Sequence, residues 1–110
     1  MSDLTAKEVF ETHIPSRLAS KPDVVTSINN SYQFDLTGDG GGKWVVDLTE
    51  PGGKVFAGEK ADPGVTVTMT ASDFVDLVNG KLNGQMAFLQ GKLKIKGDMS
   101  LALKLQQVLG

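Results

Sequence analysis

His13 is the only histidine in this 110-residue chain, and there is no cysteine. An imidazole with no thiol to activate and no second imidazole to share a metal has little catalytic use. The absence of cysteine also excludes disulfide scaffolds and thiolate-ligated zinc. Four Gly-Lys pairs occur, at positions 42, 53, 80 and 91, but none is followed by Ser or Thr as a phosphate-cradling loop requires. No G-x-S-x-G elbow is present. Asp35-x-Thr37-x-Asp39-Gly40 has the spacing of a calcium loop until its twelfth position, which is Val46 where a bidentate glutamate is needed. Asp73 and Asp76 are three residues apart on the polar side of an amphipathic stretch and read as solvent-facing. No enzymatic role, metal or cofactor follows from these residues.

The elements around them are legible from periodicity. Thr5 with Glu8 makes a capping box, and Leu4 with Val9 stands at the positions of a hydrophobic staple. Phe10 and Ile14 share a face of this first helix, which Pro15 should kink or end because it lacks an amide proton. Pro22 opens a second short helix, Asp23 to Ile28. From Ser31 the period becomes two: Tyr32, Phe34 and Leu36 oppose Gln33, Asp35 and Thr37. A glycine loop leads to Trp44, Val46 and Leu48 alternating with Val45, Asp47 and Thr49. Glu50-Pro51-Gly52-Gly53 predicts a type II turn, followed by a short strand from Val55 to Gly58. Val65, Val67 and Met69 alternate with three threonines, and Thr70 or Ser72 then caps a helix striped by Phe74, Leu77 and Val78. Gly80 stands where a left-handed cap is wanted. Such strands predict an antiparallel sheet with one wet face and one face covered by helices.

The last third is built differently. Met86 to Leu89 is a short apolar helix, Gly91 to Gly97 a strand with lysine at 92, 94 and 96, and residues 98–109 a closing helix. At about 100° per residue, Ser100, Lys104 and Gln107 fill a narrow polar arc of that helix. Met99, Leu101, Ala102, Leu103, Leu105, Val108 and Leu109 cover more than half the circumference, with Gln106 set among them. A helix packed on a sheet needs an apolar stripe of only about 100°. The excess means burial on two sides, self-association, or one face toward the core and another toward a ligand. A buried amide needs a partner, so Gln106, Gln85 and Gln90 are candidates for a ligand's polar end.

Charge divides the chain along the same boundary. Residues 1–78 carry six basic and twelve acidic side chains, and residues 79–110 five basic and one acidic. The lysine stripe reads either as an edge strand kept soluble or as a contact for lipid or coenzyme A phosphates. An acidic chain whose lysines have no interleaved aromatics argues against nucleic acid. The length suits one domain over residues 1–110. No secretory signal or spanning segment is read, so a cytoplasmic protein is expected.

Trp44-Val45-Val46-Asp47-Leu48, Val65-Thr66-Val67-Thr68-Met69, Asp73-Phe74, Gly80-Lys81-Leu82-Asn83, Ala87-Phe88, Gln90 to Gly97 and Lys104-Leu105-Gln106 occur in order. Together they closely resemble the sterol carrier protein 2 domain family of non-specific lipid-transfer proteins. The resemblance covers about residues 5–109 and implies an α+β fold. Its single five-stranded, mainly antiparallel sheet is covered on one face by helices, with an apolar ligand tunnel. It implies a non-enzymatic, monomeric carrier of fatty acids, fatty acyl-CoA or sterols, with transient contact to membrane surfaces. The ligand-binding residues it implies are Phe34, Trp44, Phe74, Met86, Phe88, Leu89, Leu101 and Leu105, with Gln90 and Gln106 as polar contacts. Gly84 stands where the family often has proline. The residues at the end, Val108-Leu109-Gly110, are not a peroxisomal address, so a peroxisomal location is expected only if such a signal was removed. The competing reading is a protein-interaction or homodimerisation module using the apolar C-terminal helix.

Overall fold

The computed structural model describes residues 5–109, without the side chains of Gln106 and Gln107. The expected staple residue Leu4 lies outside the described residues. The capping box forms as the sequence predicts. Glu8 N–H donates to Thr5 Oγ1 and Thr5 N–H to the Glu8 carboxylate, both at 3.2 Å. Helix α1 (Ala6–Glu8) continues through a π-helical turn (Val9–His13) into α2 (Ile14–Ser20). Pro15 therefore does not end the helix. It falls in the first turn of α2, after a wide turn closed by Ile14 N–H on the Val9 carbonyl, where its missing proton is not called upon. Helix α3 (Pro22–Ile28) opens at Pro22, as its fixed φ favours, and stops at Asn29 in the left-handed region.

Five strands follow: β1 (Ser31–Thr37), β2 (Gly42–Asp47), β3 (Lys54–Ala57), β4 (Val65–Thr70) and β5 (Lys94–Gly97). Their order is β3-β2-β1-β4-β5. Three pairings are antiparallel, but β1 and β4 run parallel. The chain between β3 and β4 crosses the sheet to reach the far side of β1. Gln33 tethers that crossing: its carbonyl accepts Lys60 N–H at 3.0 Å and its amide donates to the Gly58 carbonyl at 3.1 Å. The face expected to be wet is thus partly covered, and Gln33 and Val45 are buried on it.

The opposite face carries the main core. Phe10 stacks between Trp44 and Phe74, with centroids 4.9 and 5.0 Å away, and Phe34 meets Phe10 and Phe74 edge-on. Helix α4 (Ala71–Val78) closes this side, capped by Asp73 N–H on Thr70 Oγ1 at 3.0 Å and ended at Gly80 with φ 77°.

Helices α5 (Gly84–Leu89), α6 (Met99–Leu103) and α7 (Leu105–Leu109) complete the chain. The lysine-striped strand is shorter than its alternation suggests. Lys92 and Leu93 N–H both donate to the Ala87 carbonyl, so the end of α5 claims them and Lys92 sits in a turn. The closing helix also breaks at Lys104, dividing its apolar arc between α6 and α7.

Candidate ligand-binding cleft

The end of α4, helix α5, edge strand β5 and the last two helices surround a cleft of about 520 Å³. Leu77, Leu93, Leu105 and Leu109, all buried, make its floor, with the half-buried Ile95 beside them. Phe88 and Leu89 from α5 face Met99 and Leu103 from α6 across the mouth. The mouth is unusually apolar: Leu89 is 77% exposed and Leu103 75%. Asn83 and Gln85 are the polar side chains among the described lining residues, and none of those residues is charged.

Short helices hold this shape through caps and two long-range ties. Asn83 Oδ1 accepts the N–H groups of Gln85 and Met86 at 2.9 and 3.1 Å, fixing the start of α5. Asp98 accepts Ser100 N–H at 2.8 Å and the Ser100 hydroxyl at 2.6 Å, and these bonds hold its carboxyl below the usual carboxylate range. From β1, the buried Tyr32 hydroxyl donates to the Leu101 carbonyl at 2.6 Å. Burial, then the nearby Asp98 charge, push that phenol well above its ordinary value. From the π-helical turn, His13 Nε2 meets the Leu109 carbonyl at 2.6 Å, a contact in which the imidazole N–H donates. The single histidine is thus a tie for α7.

Phe88, Leu89 and Leu105 come together in the cleft. Phe34, Trp44 and Phe74 pack instead in the ring cluster around Phe10. Leu101 is buried under α6, Met86 is half exposed on α5 outside the lining, and Gln90 is an exposed cap at the end of α5. The Gln106 side chain lies outside the described residues. Sequence reasoning missed Leu77, Leu93 and Ile95 as lining, although the helical stripe of the first and the alternation of the other two against lysine mark them as inward-facing. Met99, Ala102, Leu103 and Leu109 were visible only as a wide arc. Among the described residues no cluster of three His, Cys, Asp or Glu could hold a metal, and no helix is long and apolar enough to cross a membrane.

A family profile described as the SCP-2 sterol transfer family matches residues 10–110. Hydroxysteroid dehydrogenase-like protein 2 of Homo sapiens is 48% identical over 88 residues, covering 79% of this chain and 21% of that protein. The Xenopus laevis protein of the same name is 47% identical over 108 residues, covering 96% and 25%. The chain therefore spans about a fifth to a quarter of the length of these curated relatives. Among solved structures, sterol carrier protein 2 of Aedes aegypti in complex with palmitate superposes with a TM-score of 0.78 at 28% identity, covering 100% of this chain and 97% of that one. The apo form of sterol carrier protein 2 from Yarrowia lipolytica gives 0.74 at 29% identity, covering 94% and 83%.

Proposed function

The chain belongs to the SCP-2 sterol transfer family, and from that premise we propose that it is a lipid carrier that catalyses no reaction itself. Its ligand is the apolar body of a fatty acid, fatty acyl-CoA or sterol, held in the cleft between α5, β5 and the last two helices. The observation that carries this reading is the cleft itself, about 520 Å³ lined by leucines, isoleucine and phenylalanine with a mouth of exposed apolar side chains. That volume falls in the range of small-molecule sites, roughly 300–1,000 Å³. The palmitate bound by the Aedes aegypti relative supports the same ligand class.

Burying a sixteen-carbon chain yields on the order of 12 kcal/mol gross at about 0.8 kcal/mol per methylene, less several for association and ordering. Micromolar or somewhat tighter binding follows. The two polar side chains among the described lining residues, Asn83 and Gln85, fix little orientation, so selectivity among apolar ligands is low. Titration with a fluorescent fatty acid gives saturable one-to-one uptake, and native mass spectrometry of freshly purified protein shows a co-purified lipid. No saturable uptake and no lipid adduct would overturn the proposal.

The exposure of Leu103 and Leu89 favours one rival, a homodimer closed through this apolar mouth. That reading requires concentration-dependent dimerisation that Leu103→Lys abolishes, without lipid uptake.

A further inference from the structure

The chain has four methionines and no cysteine, so its thioethers are the side chains most open to two-electron oxidation by peroxide. Met1 lies outside the described residues, and Met69 is buried in β4 at 3% exposure. Met86 and Met99 are 50% and 46% exposed. They differ in what they face. Met86 stands on α5 outside the cleft lining, whereas Met99 opens α6 and lines the cleft with Leu103, across from Phe88 and Leu89. One thioether thus meets both solvent and the space assigned to the ligand. The start of α6 does not depend on that side chain. Asp98 holds it, accepting Ser100 N–H at the carboxylate and Leu101 N–H at the backbone carbonyl, at 2.8 and 3.1 Å.

We propose that Met99 is a redox-sensitive contact of the cleft: hydrogen peroxide converts it to a sulfoxide that weakens lipid binding, and bound lipid shields it from that oxidation. This rests on the cleft being the ligand site. In the step, the thioether sulfur attacks one peroxide oxygen, and an S–O bond forms as the O–O bond breaks. The second oxygen leaves as water, taking the proton of the first. Sulfur gives up two electrons and peroxide takes them. The product carries a strong acceptor oxygen at a mouth where Phe88, Leu89 and Leu103 offer no donor. Water satisfies that oxygen until an acyl chain displaces it, and burying an unmatched polar atom then lowers affinity. At Met86 the same oxidation has no such effect, because its side chain lies outside the lining and stays in solvent. Reversal needs a methionine sulfoxide reductase with a thiol as electron donor.

Peroxide treatment of the full chain, with and without saturating palmitate, tests it, because this saturated acid does not itself consume the oxidant. Peptide mass spectrometry follows each methionine. Met86 and Met99 should each gain one oxygen, and palmitate should slow Met99 at least about fivefold while leaving Met86 unchanged. Met69 should stay reduced in the folded chain. The treated chain should then bind palmitate at least about fivefold more weakly, with an unchanged far-UV spectrum to separate this loss from unfolding. Met86→Leu should lose affinity on treatment as the parent does. Met99→Leu, whatever its starting affinity, should lose none. Met1 is common to all three proteins and cancels. Oxidation of Met99 at one rate with and without bound palmitate, unaltered affinity after it, or an equal loss in Met99→Leu would overturn this inference alone. An untreated chain that takes up no palmitate would overturn the carrier assignment and the inference with it.

Discussion

Tyr32 reaches from the middle of the sheet to the helix that forms one side of the cleft mouth. Its hydroxyl donates to the Leu101 carbonyl at 2.6 Å in a buried setting. Tyr32→Phe keeps the ring in place and leaves that carbonyl unmatched, so unfolding in urea should show a loss of about 1–3 kcal/mol. The same residue gives a pH readout, because it is the only tyrosine. Burial first, and Asp98 second, raise its pKa above the free value of about 10. A raised folded value means that this contribution to stability is complete below the unfolded pKa and is lost as pH rises above it. Tyrosinate absorbance should therefore be absent at about pH 10, where free tyrosine is half ionised, and should grow in only with unfolding. Ionisation at about pH 10 in the folded chain would mean that the phenol is not buried as described.

At the scale of elements, the parts that local chemistry dictates were the legible ones. The capping box at Thr5, the left-handed Gly80 and the turn at Pro51-Gly52, closed by Gly53 N–H on the Glu50 carbonyl at 2.9 Å, form as their residues demand. Alternation predicted the strands but carries no record of their neighbours, so the parallel β1–β4 pairing was hidden. The crossing that produces it rests on buried polar groups, Gln33 and Asp47, which alternation assigns to a wet face. Asp47 tests this. Burial raises its pKa, but the Thr49 hydroxyl and N–H and the Lys60 ammonium at 3.5 Å outweigh burial and lower it overall. A lowered folded value contributes stability above the unfolded pKa of about 3.9, lost as pH falls through the folded value. Thermal melts should show stability declining below about pH 4, and Asp47→Asn, less stable at neutral pH, should decline less steeply. At the edge of the sheet, a Cβ on Gly97 would lie 2.6 Å from the Gly64 carbonyl oxygen at a φ of 115°. Gly97→Ala should cost at least about 1 kcal/mol in urea unfolding and loosen β5 first, by hydrogen exchange.

For the molecule as a whole, the division between a packed half and an open half governs what substitutions do. The sequence showed an apolar surplus in its last third, yet could not say which aromatic rings belong to the core and which face the cleft. Burial and apolarity look alike in both places. Phe74 closes the ring cluster around Phe10, whereas Leu105 is on the floor of the cleft. Phe74→Leu should then lower stability by roughly 1–3 kcal/mol while leaving fatty acid uptake stoichiometric. Leu105→Trp should do the reverse. The indole fills space that a ligand would take, so the unliganded protein melts no lower than the parent while uptake falls at least about tenfold. A ligand at a hundred times its dissociation constant stabilises the parent by about 2.7 kcal/mol, a rise in Tm of roughly 10 °C for a chain of this size. Leu105→Trp should lose most of that rise and Phe74→Leu should keep it. Melting curves of the three proteins with and without fatty acid measure both effects at once. A full ligand-induced rise in Leu105→Trp would mean that the lipid is held somewhere other than between α5, β5 and the last two helices.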